Sequence, residues 1–298
     1  MLSQFSRRDF LGQSAAAVGA LATSSLVIRA ADNPRKLKSG ADQVTLGKSG
    51  VKTSLIGMGT GSVGVNHSSN QVRLGNEKFC KLVQYAYHEK GITYFDTADQ
   101  YGSHIYLRDA LKGIPRDKLF IQTKTRATTA EMAKADVERL RQELGMDYVD
   151  TLLMHCMQTS TWPKDFRPVM DVLSEAKQKG HVKAVGVSCH GMDPLRAAVD
   201  CAWIEVDLAR INPVGVKARM DGKPEEVVPC LKSMHDQGKG ILGMKILGEG
   251  TFKTEEQQLA SLRFVLGIGC VDAMVIGFES QQQIDQIMSR VEKVLQEG

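Results

Sequence analysis

Leu119-Phe120-Ile121-Gln122-Thr123-Lys124, then Thr129–Leu144, then Val149-Asp150-Thr151-Leu152-Leu153-Met154-His155 is the stretch that decides the fold. Two apolar, strand-like runs flank a longer helical pattern, and Gly145 falls where the helix hands over to the second strand. A strand–helix–strand unit of this kind makes its two strands parallel. The same alternation continues in both directions. Further strand candidates are Leu55–Gly59, Ile92–Asp96, Val182–Ser188, Val206–Ile211, Ile241–Ile246 and Ala273–Ile276. Helix candidates are Glu77–Lys90, Ile105–Lys112, Arg167–Lys179, Pro194–Cys201, Glu225–Gln237, Glu255–Leu266 and Gln281–Leu295. In the last of these, Ile284, Ile287, Met288, Val291 and Leu295 form one apolar face. Gly91, Gly180 and Gly240 stand at further helix-to-strand junctions and read as left-handed caps.

Such alternation suits an open doubly wound sheet or a closed barrel. Eight units in one domain favour the (β/α)8 TIM barrel. A leading hairpin, with Val44-Thr45-Leu46-Gly47 and Val51-Lys52-Thr53 around Lys48-Ser49-Gly50, would plug its floor.

Residues 1–30 stand apart from this pattern. Ser6-Arg7-Arg8-Asp9-Phe10-Leu11 is a twin-arginine signature, followed by an uncharged, Ala-rich run to Ile28 and then Arg29-Ala30-Ala31. The reading is a signal segment over 1–30 and a barrel over 31–298, exported to the periplasm by the twin-arginine machinery. That route carries folded, cofactor-loaded proteins. Ile28 is not the usual small residue three back from a cut after Ala30, so an uncleaved membrane anchor stays open. No other segment is apolar enough to span a bilayer.

Removing Arg7, Arg8, Arg29 and Asp9 from a formal charge of +4 leaves +2. A near-neutral chain without a long basic run gives no reason to expect a nucleic-acid partner. Cys80, Cys156, Cys189, Cys201, Cys230 and Cys270 show no C-x-x-C spacing and read as small packed thiols.

In a barrel of this kind the chemistry sits where the strands end. Asp96 ends the second strand, Tyr101 follows in its loop, Lys124 ends the third strand and His155 the fourth. Each has a bland explanation alone; their joint placement on one rim does not. A lysine after an apolar strand needs a compensating partner, and Asp96 is available. A neighbouring ammonium would lower the phenol of Tyr101 from roughly 10. Tyr101 could then protonate a carbonyl oxygen while His155 donates a hydrogen bond to it.

The chain resembles the aldo-keto reductases from about Val44 to Val294. The resemblance rests on Gly57-Met58-Gly59-Thr60, Phe95–Gly102, Thr123-Lys124, Leu144–Asp150 and Lys179–Ser188. It implies NADPH or NADH as hydride donor, a small carbonyl or alcohol substrate, and Asp96, Tyr101, Lys124 and His155 as a catalytic tetrad. It also places Gly59 and Thr60 beside the cofactor.

Gly59–Gly64 matches G-x-G-x-x-G, yet no helix opens after it, which rejects a Rossmann reading. The pyrophosphate falls instead to the loops after strands seven and eight, with Leu247, Gly248, Phe278, Glu279 and Ser280 as candidates. Three positions depart from the family pattern. Ser188-Cys189 stands for the usual Ser-Asn at the carboxamide, Asp207-Leu208 for a Gln, and Met244 for the stacking aromatic. Glu279, with no Arg or Lys near strand eight, leans towards NADH.

Two other readings remain: a metal-dependent barrel enzyme using His155-Cys156 and Cys189-His190, and a non-catalytic nucleotide-binding barrel. Trp162 reads as a wall of the substrate pocket or as packing for its own loop, while the loops at Ser160–Pro163 and Val214–Pro224 carry no legible specificity.

Overall fold

The computed structural model describes residues 36–297, so the twin-arginine segment lies outside the described residues. A hairpin of β1 (Gln43–Thr45) and β2 (Lys52–Ser54) precedes eight parallel strands. These are β3 (Ile56–Gly59), β4 (Tyr94–Asp96), β5 (Phe120–Thr125), β6 (Val149–Met157), β7 (Val182–Cys189), β8 (Val206–Arg210), β9 (Gly240–Met244) and β10 (Ala273–Gly277). The last strand pairs with the first, Met274 against Ile56 through Gly277 against Gly59. That pairing closes the barrel and excludes the open sheet.

The helices are α1 (Asn76–His88), α2 (His104–Ala110), α3 (Ala130–Leu144), α4 (Trp162–Asp165), α5 (Arg167–Gln178), α6 (Met192–Asp200), α7 (Pro224–Asp236), α8 (Glu255–Gly267) and α9 (Gln281–Glu297). Each strand and helix read from the sequence is present, with ends shifted by a few residues. The short α4 was read as loop. Its Trp162 is fully buried and donates to the Pro194 carbonyl at 3.1 Å, so it packs the core and does not wall the pocket.

Side chains alternate in and out along each strand. The interior holds Tyr94, Phe120, Leu153, Ala184, Val206, Leu208, Leu242, Ala273 and Val275, closed below by Leu46 and Val51 of the hairpin. Gly57 is forced by this filling, since a Cβ there would lie 2.2 Å from the Tyr94 ring. A second, larger apolar layer joins the strands' outer faces to the helices. Burying one such side chain contributes about 1.5–3 kcal/mol, which explains why the two layers hold the alternation so strictly. Of the expected glycine caps, Gly91, Gly145 and Gly180 take left-handed φ of 67°, 64° and 79°. At the fourth junction Gly238 takes that role with φ 92°, and Gly240 is instead the first residue of β9.

Candidate active site

Asp96 and Lys124 end neighbouring strands and face the same end of the barrel. Lys124 Nζ donates to Asp96 Oδ1 at 2.5 Å and to the Thr97 carbonyl at 2.9 Å. Both side chains are almost fully buried. A buried ion pair of this kind persists only when its remaining lone pairs are also satisfied. Gln122, two residues before Lys124 on the same face, supplies the second donor, to Asp96 Oδ1 at 2.7 Å. Gln122 is held in turn by Tyr94 and Thr151. It was legible as the one polar residue in phase with Lys124.

Tyr101 lies against this pair. Lys124 Nζ is 4.9 Å from the centre of its ring, and the His155 ring meets it edge-on with centroids 5.7 Å apart. The loop after β3 clamps the other side. A Cβ on Gly61 would lie 2.2 Å from the Tyr101 ring and one on Gly64 2.4 Å. The glycines of Gly59–Gly64 therefore let backbone close on the tyrosine.

The electrostatics differ from the sequence expectation in one respect. Burial, then the charges of Asp96, Cys156 and Glu249, push the Tyr101 phenol well above its ordinary range. The Lys124 ammonium, which donates to Asp96 and Thr97, is not among the leading influences on it. Burial also lowers Lys124, against the opposing pull of Asp96. His155 is held far below the usual histidine range by burial and by Lys124, His190 and Arg126. The site thus presents a neutral phenol and a neutral imidazole, both able to donate a hydrogen bond, and His155 Nδ1 is buried without a partner.

A cleft of about 170 Å³ runs from Asp96 and Tyr101 past Gly59, Met244, Lys245 and Leu247 to Gly277 and Glu279. The sequence missed Ser62, Asn70, Lys245 and Glu249, which line it. All four sit in loops, where alternation gives no direction. Other proposed cofactor residues lie apart from the cleft's lining. Thr60 is buried, donating to the Asp96 carbonyl. Ser188 Oγ accepts from the Cys156 N–H at 3.1 Å, and Cys189 Sγ turns to the Pro194 carbonyl. Gly248 is buried, Phe278 is nearly so and lines the cavity adjoining the cleft, and Ser280 caps α9 by accepting from Gln283 N. Asp207 points outward into the helix layer, leaving Leu208 in the barrel interior.

The residues of the metal reading are split. Cys156 Sγ lies 2.9 Å from His190 Nδ1, while Cys189 is turned away. Among the described residues no group of three or more His, Cys, Asp or Glu side chains is placed to hold a metal.

The Aldo/keto reductase family model matches residues 55–265. A soybean (Glycine max) aldo-keto reductase is 28% identical over 228 residues, covering 70% of this chain and 60% of the relative. An NADH-specific methylglyoxal reductase of Escherichia coli is 24% identical over 196 residues, 57% of this chain and 59% of that protein. Thus the chain spans roughly three fifths of the length of these relatives. A solved aldo-keto reductase structure from Pseudomonas aeruginosa superposes with a TM-score of 0.71 at 21% identity, covering 87% of this chain and 97% of that one. With the family model spanning seven of the eight barrel strands, the chain belongs to the aldo/keto reductase family.

Proposed function

We propose that the protein is a nicotinamide-dependent oxidoreductase that reduces a small aldehyde or ketone, or oxidises the matching alcohol, with Tyr101 as proton donor. The contact chain Asp96–Lys124–Tyr101–His155 at the head of the cleft carries this reading. Tyr101 would protonate the carbonyl oxygen, and His155 would hold that oxygen by a hydrogen bond. Lys124, held by Asp96, packs its ammonium against the phenol ring and helps to position it. A bound nicotinamide supplies the hydride.

A dinucleotide, too large for this cleft alone, would run on into the cavity that adjoins it at Leu247, Gly277 and Glu279. Gly59, Gly61 and Gly277 bring backbone to the cleft's wall, and Met244 offers a polarisable thioether face to a ring. At the far end Glu279, which accepts from Asn70 at 2.6 Å, would accept a ribose hydroxyl. This favours NADH, as the name of the Escherichia coli relative does. Lys253 and Arg290 line that adjoining cavity, so basic groups are nearer than the sequence indicated. Arg290 is already bound to Gln258 and paired with Glu255, which leaves Lys253 as the competitor for a 2′-phosphate. Fluorescence titration with NADH and NADPH tests the reading: saturable binding of either, tighter for NADH, is expected. Binding of neither would reduce the protein to a non-catalytic relative.

Export through the twin-arginine pathway is part of the same proposal. Among the described residues no helix is long and apolar enough to cross a membrane. Replacing Arg7 and Arg8 with lysine should leave the protein in the cytoplasm; unaltered periplasmic recovery would refute the signal.

A further inference from the structure

The mouth of the barrel is electrostatically two-sided. Continuing the alternation beyond Phe120, Leu153, Ala184 and Leu208 brings Lys124, His155, His190 and Arg210 to the rim of four adjacent strands, β5 to β8, with His190 one residue past the end of β7. Arg126, two residues past Lys124, adds an exposed guanidinium without an ion pair or hydrogen bond among the described residues. Across the mouth, β9, β10 and β3 present Met244, Val275 and glycines, and Lys245 there is paired with Glu249 at 2.6 Å.

The nearby carboxylates are already spent. Asp96 holds Lys124, and Asp221 holds Arg210 while accepting from the Gly191 N–H at 2.6 Å. Yet Arg210 Nε and His155 Nδ1 remain buried with no partner. Burial first, then the charges of Arg210, Arg126 and Lys124 on this side and of Lys245 opposite, hold His190 down to about 4, so it stays neutral. Arg210 thus has an acceptor on one side of its fork and none at Nε; a buried N–H left so is costly, and a carboxylate is the best geometric match for a guanidinium.

We propose that this half-rim binds a carboxylate, so that the preferred substrate is an oxo acid and not a neutral carbonyl compound. The inference rests on the reductase reading and refines its substrate class. The test compares 4-oxobutanoate with butanal on the whole protein, by calorimetric binding and by steady-state turnover with either reduced nucleotide. The account expects 4-oxobutanoate to be preferred by about 10-fold or more in kcat/KM. Arg126→Gln, at an exposed unpaired site that folding does not need, should cut that ratio several-fold through KM. Arg210→Met should bring it close to one, and Arg210→Lys should restore part of it. Equal kcat/KM for the two aldehydes, or a ratio that Arg126→Gln leaves unchanged, overturns the carboxylate site while keeping the reductase. Binding of 4-oxobutanoate that both arginine replacements abolish, with neither aldehyde turned over, upholds the site and removes the reductase reading. Absence of both binding and turnover overturns both.

Discussion

The two ends of the barrel each bury a carboxylate, and they treat backbone strain in opposite ways. At the floor, Asp150 accepts from Arg116 at 2.6 Å, from Lys183 at 2.9 Å and from the Ile121 N–H at 2.8 Å. Left-handed turns there fall on glycines such as Gly47, Gly91, Gly145 and Gly238. At the mouth, Asp96 takes both of its donors, Lys124 and Gln122, on Oδ1, and the backbone around it is strained. The non-glycine residues with left-handed φ among the described residues are Val63, Asn66, His67, Cys156, Arg219, Lys245 and Glu249, and all lie in or next to loops that follow strand ends. Each costs on the order of 1 kcal/mol or more. The floor is built for stability, and the mouth gives some of it up to aim side chains.

The largest expected contrast comes from the floor. Asp150→Ala strands Arg116 and Lys183 and should destabilise the fold by about 3–5 kcal/mol in urea unfolding. Turnover of the folded fraction should stay close to wild type. A comparable loss of kcat would break the division of labour between the two ends.

Next comes Asp207, a carboxyl belonging to neither end, buried in the helix layer with both oxygens unpartnered. Burial, then Asp221, raises it from 3.8 to about 7. The folded state therefore binds this proton more tightly than the unfolded state. Its effect on stability is most favourable below about 4, is lost as pH rises to about 7, and is constant above that. Three units correspond to about 4 kcal/mol at most. Asp207→Asn should thus stabilise the protein by about 2–4 kcal/mol at pH 8 and hardly at all near pH 4. An equal effect at both pH values would show that the carboxyl is not buried unpaired.

The smallest contrast is a matched pair of backbone changes. Val63→Gly should raise stability by about 1 kcal/mol by relieving φ 51°. Gly145→Ala should lower it by about 1 kcal/mol, since φ is 64° and Arg108 lies 3.1 Å from the new Cβ. If both changes move stability in the same direction, the mouth is not strained as described.

Much of this was legible in the sequence because strands and helices carry period. The Lys124 and His155 positions follow from where apolar runs stop, and the eight units imply the barrel. What periodicity cannot supply is direction within loops. The resemblance puts Ser188 and Cys189 at the carboxamide; loop direction decides what they meet, and Ser188 Oγ accepts from the bulged Cys156 N–H while Cys189 Sγ turns to the Pro194 carbonyl of α6. Asp207 seemed to replace a cofactor-facing Gln, and only its outward phase, one residue off Leu208, shows otherwise. The twin Gly61 and Gly64 resemble a phosphate loop in sequence and clamp a phenol in space.

The most direct test of the central claim is Tyr101→Phe, assayed for nucleotide binding and for carbonyl reduction on the same preparation. The phenol accepts no hydrogen bond that the fold needs, so binding should stay within about twofold while turnover falls by about 100-fold or more. Turnover that survives the loss of the hydroxyl would contradict the assignment of Tyr101 as the proton donor.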